Sequence, residues 1–529
     1  MRKNKLLFIF ILFIALVLRF YQLNQFPPSL NWDEISHGYN AYSILKTGQD
    51  QWGTPAPIFN FRAYGDYPTT LNMYLTIPFV YFFGLNEWSV RLPSAILGFG
   101  IVILSFFLTQ KLFDNKKLSY LVMFLCAISP WTLFTSRAVF QSTIAQFFIL
   151  LGITLFLYNK KNLGAIMWAL SAYAYHNTRI VAPLLFVVFI FIYFPKFWKN
   201  KKTLFAIFLF SLLIIPNILN LFVPSSRARG KWVFIINQNA INIINENRNN
   251  STLPPTLNRL INNKYTYLAG NITKNYTDFL NPYLLFFKGS GQYQFNIPNH
   301  GILYFITLPF FYLGILKIIL KIRHKNNLFL VLWFLIGLLP AVITFGDFAI
   351  LRGFTIIPLP LIFIGIGLLS LKKISFSFIL LIIIIQASLY MNNYFTQYPK
   401  QYSQSWQYGY KEAVNYIKQN ESSYDKILIT KKYGEPHEFL LFYLPYEPQK
   451  LLSGDITWDF HANWFWVDQI NKYHFVNDWD IKEKTQNITD KTLLITSPFN
   501  YNNDNSKLLK TIHFKDNSPA FDIVEIYEN

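Results

Sequence analysis

The chain predicts a polytopic α-helical membrane protein of about eleven transmembrane helices, and about thirteen at the upper bound. Interfacial helices are expected in its first outer loop and a small α/β outer domain at its C-terminal end. Three observations lead there. Of 529 residues, 53% are hydrophobic, 19% aromatic and only 14% charged, where a soluble domain carries roughly 25% charged residues. Apolar runs of roughly twenty residues recur as far as Tyr390, the length a bilayer demands. Lysine and arginine collect in the turns between alternate runs, which is how orientation is written into a membrane chain. The net charge of +20 does not point to nucleic acid, because the cations lie in those turns and not along a polar face.

The N-terminus, Arg2, Lys3 and Lys5 followed by Leu6–Tyr21, begins like a signal peptide. Arg19-Phe20-Tyr21-Gln22 stands where a small-residue cleavage site would, so the run is expected to remain as an anchor with its N-terminus inside. Residues 22–88 form the first outer loop. Within it Leu71–Phe83 is apolar but short and carries Pro78, and a helix lying at the interface suits it. Counting it as a span would put Lys111, Lys116 and Lys117 outside.

The next spans are expected near Val90–Leu112, Leu118–Phe134, Val139–Tyr158, Leu163–Tyr175, Ile180–Tyr193 and Leu204–Val223. Ile302–Leu320, Leu328–Phe345, Gly353–Leu369 and Ile374–Tyr390 complete the set. Inner turns then hold Lys160/Lys161, Lys196/Lys199/Lys201/Lys202, Lys321/Arg323/Lys325 and Lys372/Lys373, all on the side the positive-inside rule requires. The organisation is a transmembrane domain over 1–392 and an extracytoplasmic α/β domain over 393–529, in a cell (plasma or inner) membrane. A long outer loop, 224–300, is rich in Asn and Tyr with Arg227, Arg229, Lys231, Arg248 and Arg259. It exceeds connector length, so it is either functional or disordered. In the tail, Tyr410–Lys418 and His437–Tyr443 read as helices, and Lys426–Thr430, Thr492–Thr496 and Phe521–Tyr527 as strands. The single cysteine, Cys126, excludes an intrachain disulfide.

Polar residues fall mostly on the outer side. The adjacent carboxylates Asp33 and Glu34, in NWDEISHGYN just past the first span, are a site candidate, since acids beside a bilayer cost energy unless solvated, paired or used. The plainer reading is a helix cap. Asp66, Arg137, His176, Arg179, Asp347 and Arg352 recur at outer span ends. Arginine grips phosphate through a planar fork, and a carboxylate within reach can deprotonate a hydroxyl. A ring of such groups at headgroup depth suits a lipid-linked phosphate. Taken singly, each arginine reads more simply as a headgroup anchor, and His176 as a structural histidine. Asp33, Glu34, Asp66 and His176 would suit a divalent metal as ligands, although no spacing among them is diagnostic.

The stretches NWDEISHGYNAYSILKTG, GDYPTTLNMYLTIPF, GLNEWSVRLPSAILG, SPWTLFTSRAVF and SAYAYHNTRIVAPLL resemble the C-type membrane glycosyltransferases. The nearer branch holds protein O-mannosyltransferases and the lipid A aminoarabinose transferase. The resemblance covers most of 1–390, and WQYGYKEAVNYI after the last span is similar to bacterial members with a C-terminal outer domain. It implies an inverting transfer of a monosaccharide from a polyprenyl-phosphate donor to an acceptor hydroxyl (protein, lipid or glycan) outside the cytoplasm. Asp33 carries over as the group that activates or positions the acceptor, with Glu34 in support. Asp66, Arg137, His176, Arg179, Arg352 and Asp347 carry over toward the donor. Many relatives place Lys-Pro-Pro after the second acidic position, whereas here Asp66 precedes Tyr67-Pro68-Thr69, so the donor phosphate needs another cation.

Other classes fit less well. A lipid-linked glycan transporter wants mid-span polar groups and paired repeats, and the spans are almost wholly apolar. A receptor-like protein explains 391–529 but not the acids and arginines at span ends. A transferase that moves a whole oligosaccharide or polymer en bloc shares every feature above and differs only in donor size.

Overall fold

The computed structural model describes residues 2–527 apart from Asp347, Asp455, Asn487, Thr489 and Asn503, with the backbone alone at Arg2, Lys3, Ser225, Ala228, Arg229 and Lys231. In chain order the first helices are α1 (Arg2–Phe20), α2 (Trp32–Thr47), α3 (Leu71–Phe83), α4 (Glu87–Phe113), α5 (Lys116–Ile128) and α6 (Pro130–Ser136). Then come α7 (Gln141–Leu157), α8 (Lys161–Ala174), α9 (Thr178–Tyr193) and α10 (Lys201–Asn220). The long loop holds α11 (Pro224–Val233), α12 (Gln238–Asn249), α13 (Pro255–Ile261) and α14 (Lys264–Asp278). It is followed by α15 (Leu308–Leu320), α16 (Lys325–Val342), α17 (Leu359–Leu368) and α18 (Lys373–Gln401).

Each predicted span coincides with helix, but fewer helices than expected are long enough to cross a bilayer on their own. Among the described residues, α4, α10, α16 and α18 are long and apolar enough to cross, and α5 with α6 makes a fifth bent by 54°. Proline accounts for two of the interruptions. The residue before Pro130, Ser129, is extended at φ −58° and ψ 134°, as a pre-proline residue prefers. Pro130 also has no N–H to offer the Cys126 carbonyl one turn back. That carbonyl and its neighbour on Ala127 instead accept from the buried guanidinium of Arg19, at 3.1 and 3.0 Å. Likewise the expected span Gly353–Leu369 divides at Pro358 into a 3₁₀ turn, Arg352–Ile356, and α17.

The chain packs as two compact units, and their borders do not follow a single cut near residue 392. One comprises Met1–Tyr21, Ile96–Ser136 and Phe140–Tyr390; the other comprises Gln22–Ala95, Arg137–Val139 and Met391–Asn529. In the first, α7 and α8 approach until their backbones touch at Gly152 and Gly164. A Cβ on Gly152 would stand 2.6 Å from Trp168 Cβ and 3.0 Å from the Gly164 carbonyl oxygen. Beside this contact Trp168, Phe156, Phe186 and Phe189 pack edge to face. The loop expected to be functional or disordered is helical, because its asparagines cap helices. Asn237 Oδ1 accepts from the Ala240 N–H, and Asn263 Oδ1 from those of Tyr265 and Thr266.

The second unit joins α2, α3 and the start of α4 to the C-terminal α/β layer. That layer contributes α19 (Tyr410–Asn420), β1 (Lys426–Thr430), α20 (Pro436–Tyr443), β2 (Ile456–His461), β3 (Trp464–Ile470) and β4 (Tyr473–Val476). It ends with β5 (Thr492–Thr496), β6 (Ser506–His513) and β7 (Pro519–Ile526). The sheet order is β2-β3-β4-β1-β5-β7-β6, with β1 parallel to both β4 and β5 and every other pair antiparallel. One apolar core runs from Leu30, Ile35 and Tyr39 of the first loop to Tyr410, Phe439, Ile427 and Phe475 of this layer.

Glycine at the α7–α8 contact leads to a prediction. Gly164→Leu should lower the thermal midpoint of the detergent-solubilised protein, by about 1–3 kcal/mol of stability, while Gly270→Leu, at a position with open space around it, should not. Thermal unfolding of the two variants beside wild type measures this.

Candidate functional site

Helix α2 begins at Asn31. Its side chain accepts the Glu34 N–H at 2.9 Å, and Glu34 Oε2 accepts the Asn31 N–H at 3.2 Å, a reciprocal capping box. The cap is therefore Asn31 and not Asp33. Glu34 does more than close the box. Arg91, near the start of α4, grips it with two parallel bonds, Nε to Oε1 and Nη2 to Oε2, both 3.0 Å. Both side chains are fully buried. Arg91 also donates to the carbonyls of Leu23, Pro27 and Ser29, and Glu34 Oε1 accepts the Val139 N–H at 3.1 Å. Every strong hydrogen-bonding direction of this carboxylate is taken, which makes Glu34 a positioning group without access to a ligand.

Asp33, one residue earlier, is exposed. Tyr64 Oη donates to its Oδ1 at 2.9 Å. Asp66 lies half-buried in the same unit, where its Oδ1 accepts the Tyr67 N–H at 2.8 Å. One turn along from Asp33, His37 is buried with its ring edge-on to Phe61. Burial pushes its imidazole down to about 4, against an opposing effect of the Asp66 charge, so it is neutral at pH 7. Arg137 is buried too. Its Nε donates to Tyr394 Oη at 3.3 Å and its Nη2 to the Phe26 carbonyl at 3.1 Å, and the guanidinium lies over the rings of Tyr394 and Phe395.

His176, Arg179 and Arg352 lie in the helical unit. His176 is half-buried and Arg179 buried at the α8–α9 turn. Next to them, Asn177 Nδ2 donates to the Arg352 carbonyl at 3.4 Å, and Arg352 Nη1 donates to Thr344 Oγ1 at 2.8 Å. The turns carrying His176, Arg179 and Arg352 are thus neighbours. Asp347 lies outside the described residues. Among the described residues no three His, Cys, Asp or Glu side chains group as metal ligands would. Sequence reasoning missed the role of Arg91, whose signal is an arginine in the first turns of an otherwise apolar helix. It also missed Tyr64.

Comparison with known proteins adds to this geometry. Residues 9–225 match the family described as dolichyl-phosphate-mannose-protein mannosyltransferase. YkcB of Bacillus subtilis strain 168, named as a candidate mannosyltransferase, is 32% identical over 91 residues, which is 17% of this chain and 12% of YkcB. Among solved structures, ArnT from Cupriavidus metallidurans in the apo state aligns with a TM-score of 0.56 at 11% identity, over 98% of this chain and 97% of ArnT. The apo oligosaccharyltransferase of Archaeoglobus fulgidus aligns with a TM-score of 0.51 at 12% identity, over 83% of this chain and 63% of that one. The chain thus spans under two thirds of the archaeal protein and a small fraction of YkcB. These likenesses are to the fold, which is helical with a C-terminal sheet domain.

Two expectations follow from the site. Breaking the buried pair with Arg91→Met or Glu34→Leu leaves an unpaired charge in the interior and should cost about 3–5 kcal/mol, seen as loss of the cooperative unfolding transition or its fall by many degrees. His37 adds a pH dependence. Its folded pKa lies below the ordinary value near 6.5, so the unfolded chain binds the proton first. Its contribution is complete above about pH 6.5 and is lost as pH falls toward 4, reaching about 3 kcal/mol. Thermal midpoints of wild type and His37→Gln between pH 7 and 4 should converge in slope only if another group carries the acid sensitivity.

Proposed function

We propose that this protein is an inverting glycosyltransferase that moves a monosaccharide from a polyprenyl-phosphate donor to an acceptor hydroxyl on the outer face of a cell membrane. The observation that carries the reading is the division within the acid pair. Glu34 is locked into the core, and its neighbour Asp33 is exposed at the start of the same rigid helix.

In the reaction, Asp33 takes the proton of the acceptor hydroxyl as its oxygen attacks the anomeric carbon from the face opposite the phosphate. The bond from that carbon to the phosphate oxygen breaks, and polyprenyl phosphate leaves with the electron pair. The leaving group gains charge, which fixed guanidiniums stabilise better than mobile water. Arg137, in the unit that holds Asp33, is the candidate for that charge, with Asp66 of the same unit as a further donor-site group. Arg137 would take the place of the lysine that is absent after Asp66. A fold like that of ArnT and a match to a mannosyltransferase family over 9–225 support this reading.

Asp33→Asn should reduce transfer by about 10²–10⁴-fold, the scale of general-base catalysis. Donor binding and the thermal midpoint should change little, because Asn preserves the shape of an exposed side chain. The measurement is transfer in nanodiscs from a panel of radiolabelled polyprenyl-phosphate monosaccharides, with a lipid-linked oligosaccharide alongside. Wild-type turnover by Asp33→Asn would overturn the assignment, and transfer from the oligosaccharide alone would move the reading to en bloc transfer.

A further inference from the structure

Tyr64 connects Asp33 to the C-terminal sheet. Its hydroxyl donates to Asp33, and its buried ring stacks on Trp464, with centroids 5.4 Å apart and planes 23° from parallel. Its carbonyl accepts the Phe465 N–H at 2.9 Å. Trp464 and Phe465 open β3, just after the turn that joins it to β2. That turn places Ala462 and Asn463 at φ 54° and 61°, the left-handed pair of a tight two-residue hairpin. Gly65 meets the turn directly. At φ 149° it has no room for a side chain, since a Cβ would lie 2.5 Å from the Asn463 carbonyl oxygen. Trp464 is itself anchored, its Nε1–H donating to the buried Glu435 at 2.6 Å.

The same domain grips the other side of the helix start. The Trp32 N–H donates to Gln407 Oε1 at 3.2 Å. Gly434, in the left-handed region at φ 107°, packs on the Trp32 ring so closely that no Cβ would fit. Two of the residues around the acid pair, Trp32 and Tyr64, are therefore held by parts of the chain more than 300 residues away. The exposed acid follows Trp32 in the chain and accepts from Tyr64.

We infer that the C-terminal domain is a working part of the catalytic site: the β2–β3 hairpin clamps Tyr64, and Tyr64 positions the Asp33 carboxylate for its role as base. This rests on the transferase reading above and gives the sheet domain a task within it. The phenol is suited to that task. Burial and the nearby Asp33 charge hold Tyr64 well above its ordinary range, so it remains a donor across the working pH. A donated hydrogen bond favours the ionised carboxylate, and a ring fixed on Trp464 sets the direction from which it is donated.

Tyr64→Phe keeps the stack on Trp464 and removes only the donor. It should slow transfer by about ten- to a hundredfold and move the acid limb of the kcat/KM profile up by about one to two pH units, with the thermal midpoint held. Trp464→Leu, in the full chain, should quicken hydrogen exchange over residues 32–38 and shift the acid limb in the same direction. A purely structural role would move the midpoint and leave the acid limb in place. Tyr64→Phe with wild-type rate and pH profile overturns the inference; should that variant fail to fold, the acid limb of Trp464→Leu decides. Wild type silent toward every lipid-linked sugar would instead sink the transferase reading, and unchanged exchange in Trp464→Leu would then sink the clamp separately.

Discussion

The ion pair between Glu34 and Arg91 is the constraint on which the rest of the site depends. A dry carboxylate and guanidinium are tolerated only when their geometry is good and the spare donors and acceptors are met. Here those needs are filled by the surrounding backbone: Leu23, Pro27 and Ser29 receive the spare N–H groups of Arg91, and Val139 and Asn31 donate to Glu34. Satisfying one buried pair therefore fixes the loop after the first helix, the cap of α2, the first turns of α4 and the short segment at Arg137. The segment Arg137–Val139 belongs to this unit and not to the helices on either side of it, and its bond to Glu34 is one physical reason.

Much of this organisation is legible in the sequence, for reasons that differ by element. Apolar run length marks the helices, and α3 forms over Leu71–Phe83, the stretch that composition picks out. In the tail, β1 and β5 follow from apolar β-branched runs, and their burial explains why the signal is clean. β2 and β6 do not read as strands because edge strands are exposed and carry no alternation between buried and exposed faces: β2 is open almost throughout, and β6 bears Lys507 and Lys510. Helix breaks such as Ser129-Pro130 are written locally, yet a hydropathy window averages over them. The loop helices escape because asparagine serves both turns and caps, and composition alone does not separate the two.

The site is legible only halfway. Asp33 and Glu34 stand out because acids near a span are rare, and Arg137 because a guanidinium at a span end is costly. What cannot be read is which partner each one takes, since Arg91 lies 57 residues from Glu34 and Trp464 lies 400 from Tyr64. Tyrosine and tryptophan also carry little information in a chain where 19% of residues are aromatic.

Helix geometry explains why two adjacent acids have separate fates. Successive residues on an α-helix point about 100° apart, so a side chain at Glu34 aimed at Arg91 in the core forces Asp33 toward the surface. The two also differ in reach. Glu34, at the third position, is long enough to return to the Asn31 N–H and close the box while holding Arg91. Asp33 is shorter and stays near the backbone, where Tyr64 can hold it. Favourable interaction with the helix N-terminus applies to both carboxylates, but only Asp33 is exposed. Anchoring and the chemistry proposed for Asp33 are thus separated by a single step along the chain, and the fixed position of the buried acid is passed to its neighbour through one peptide unit.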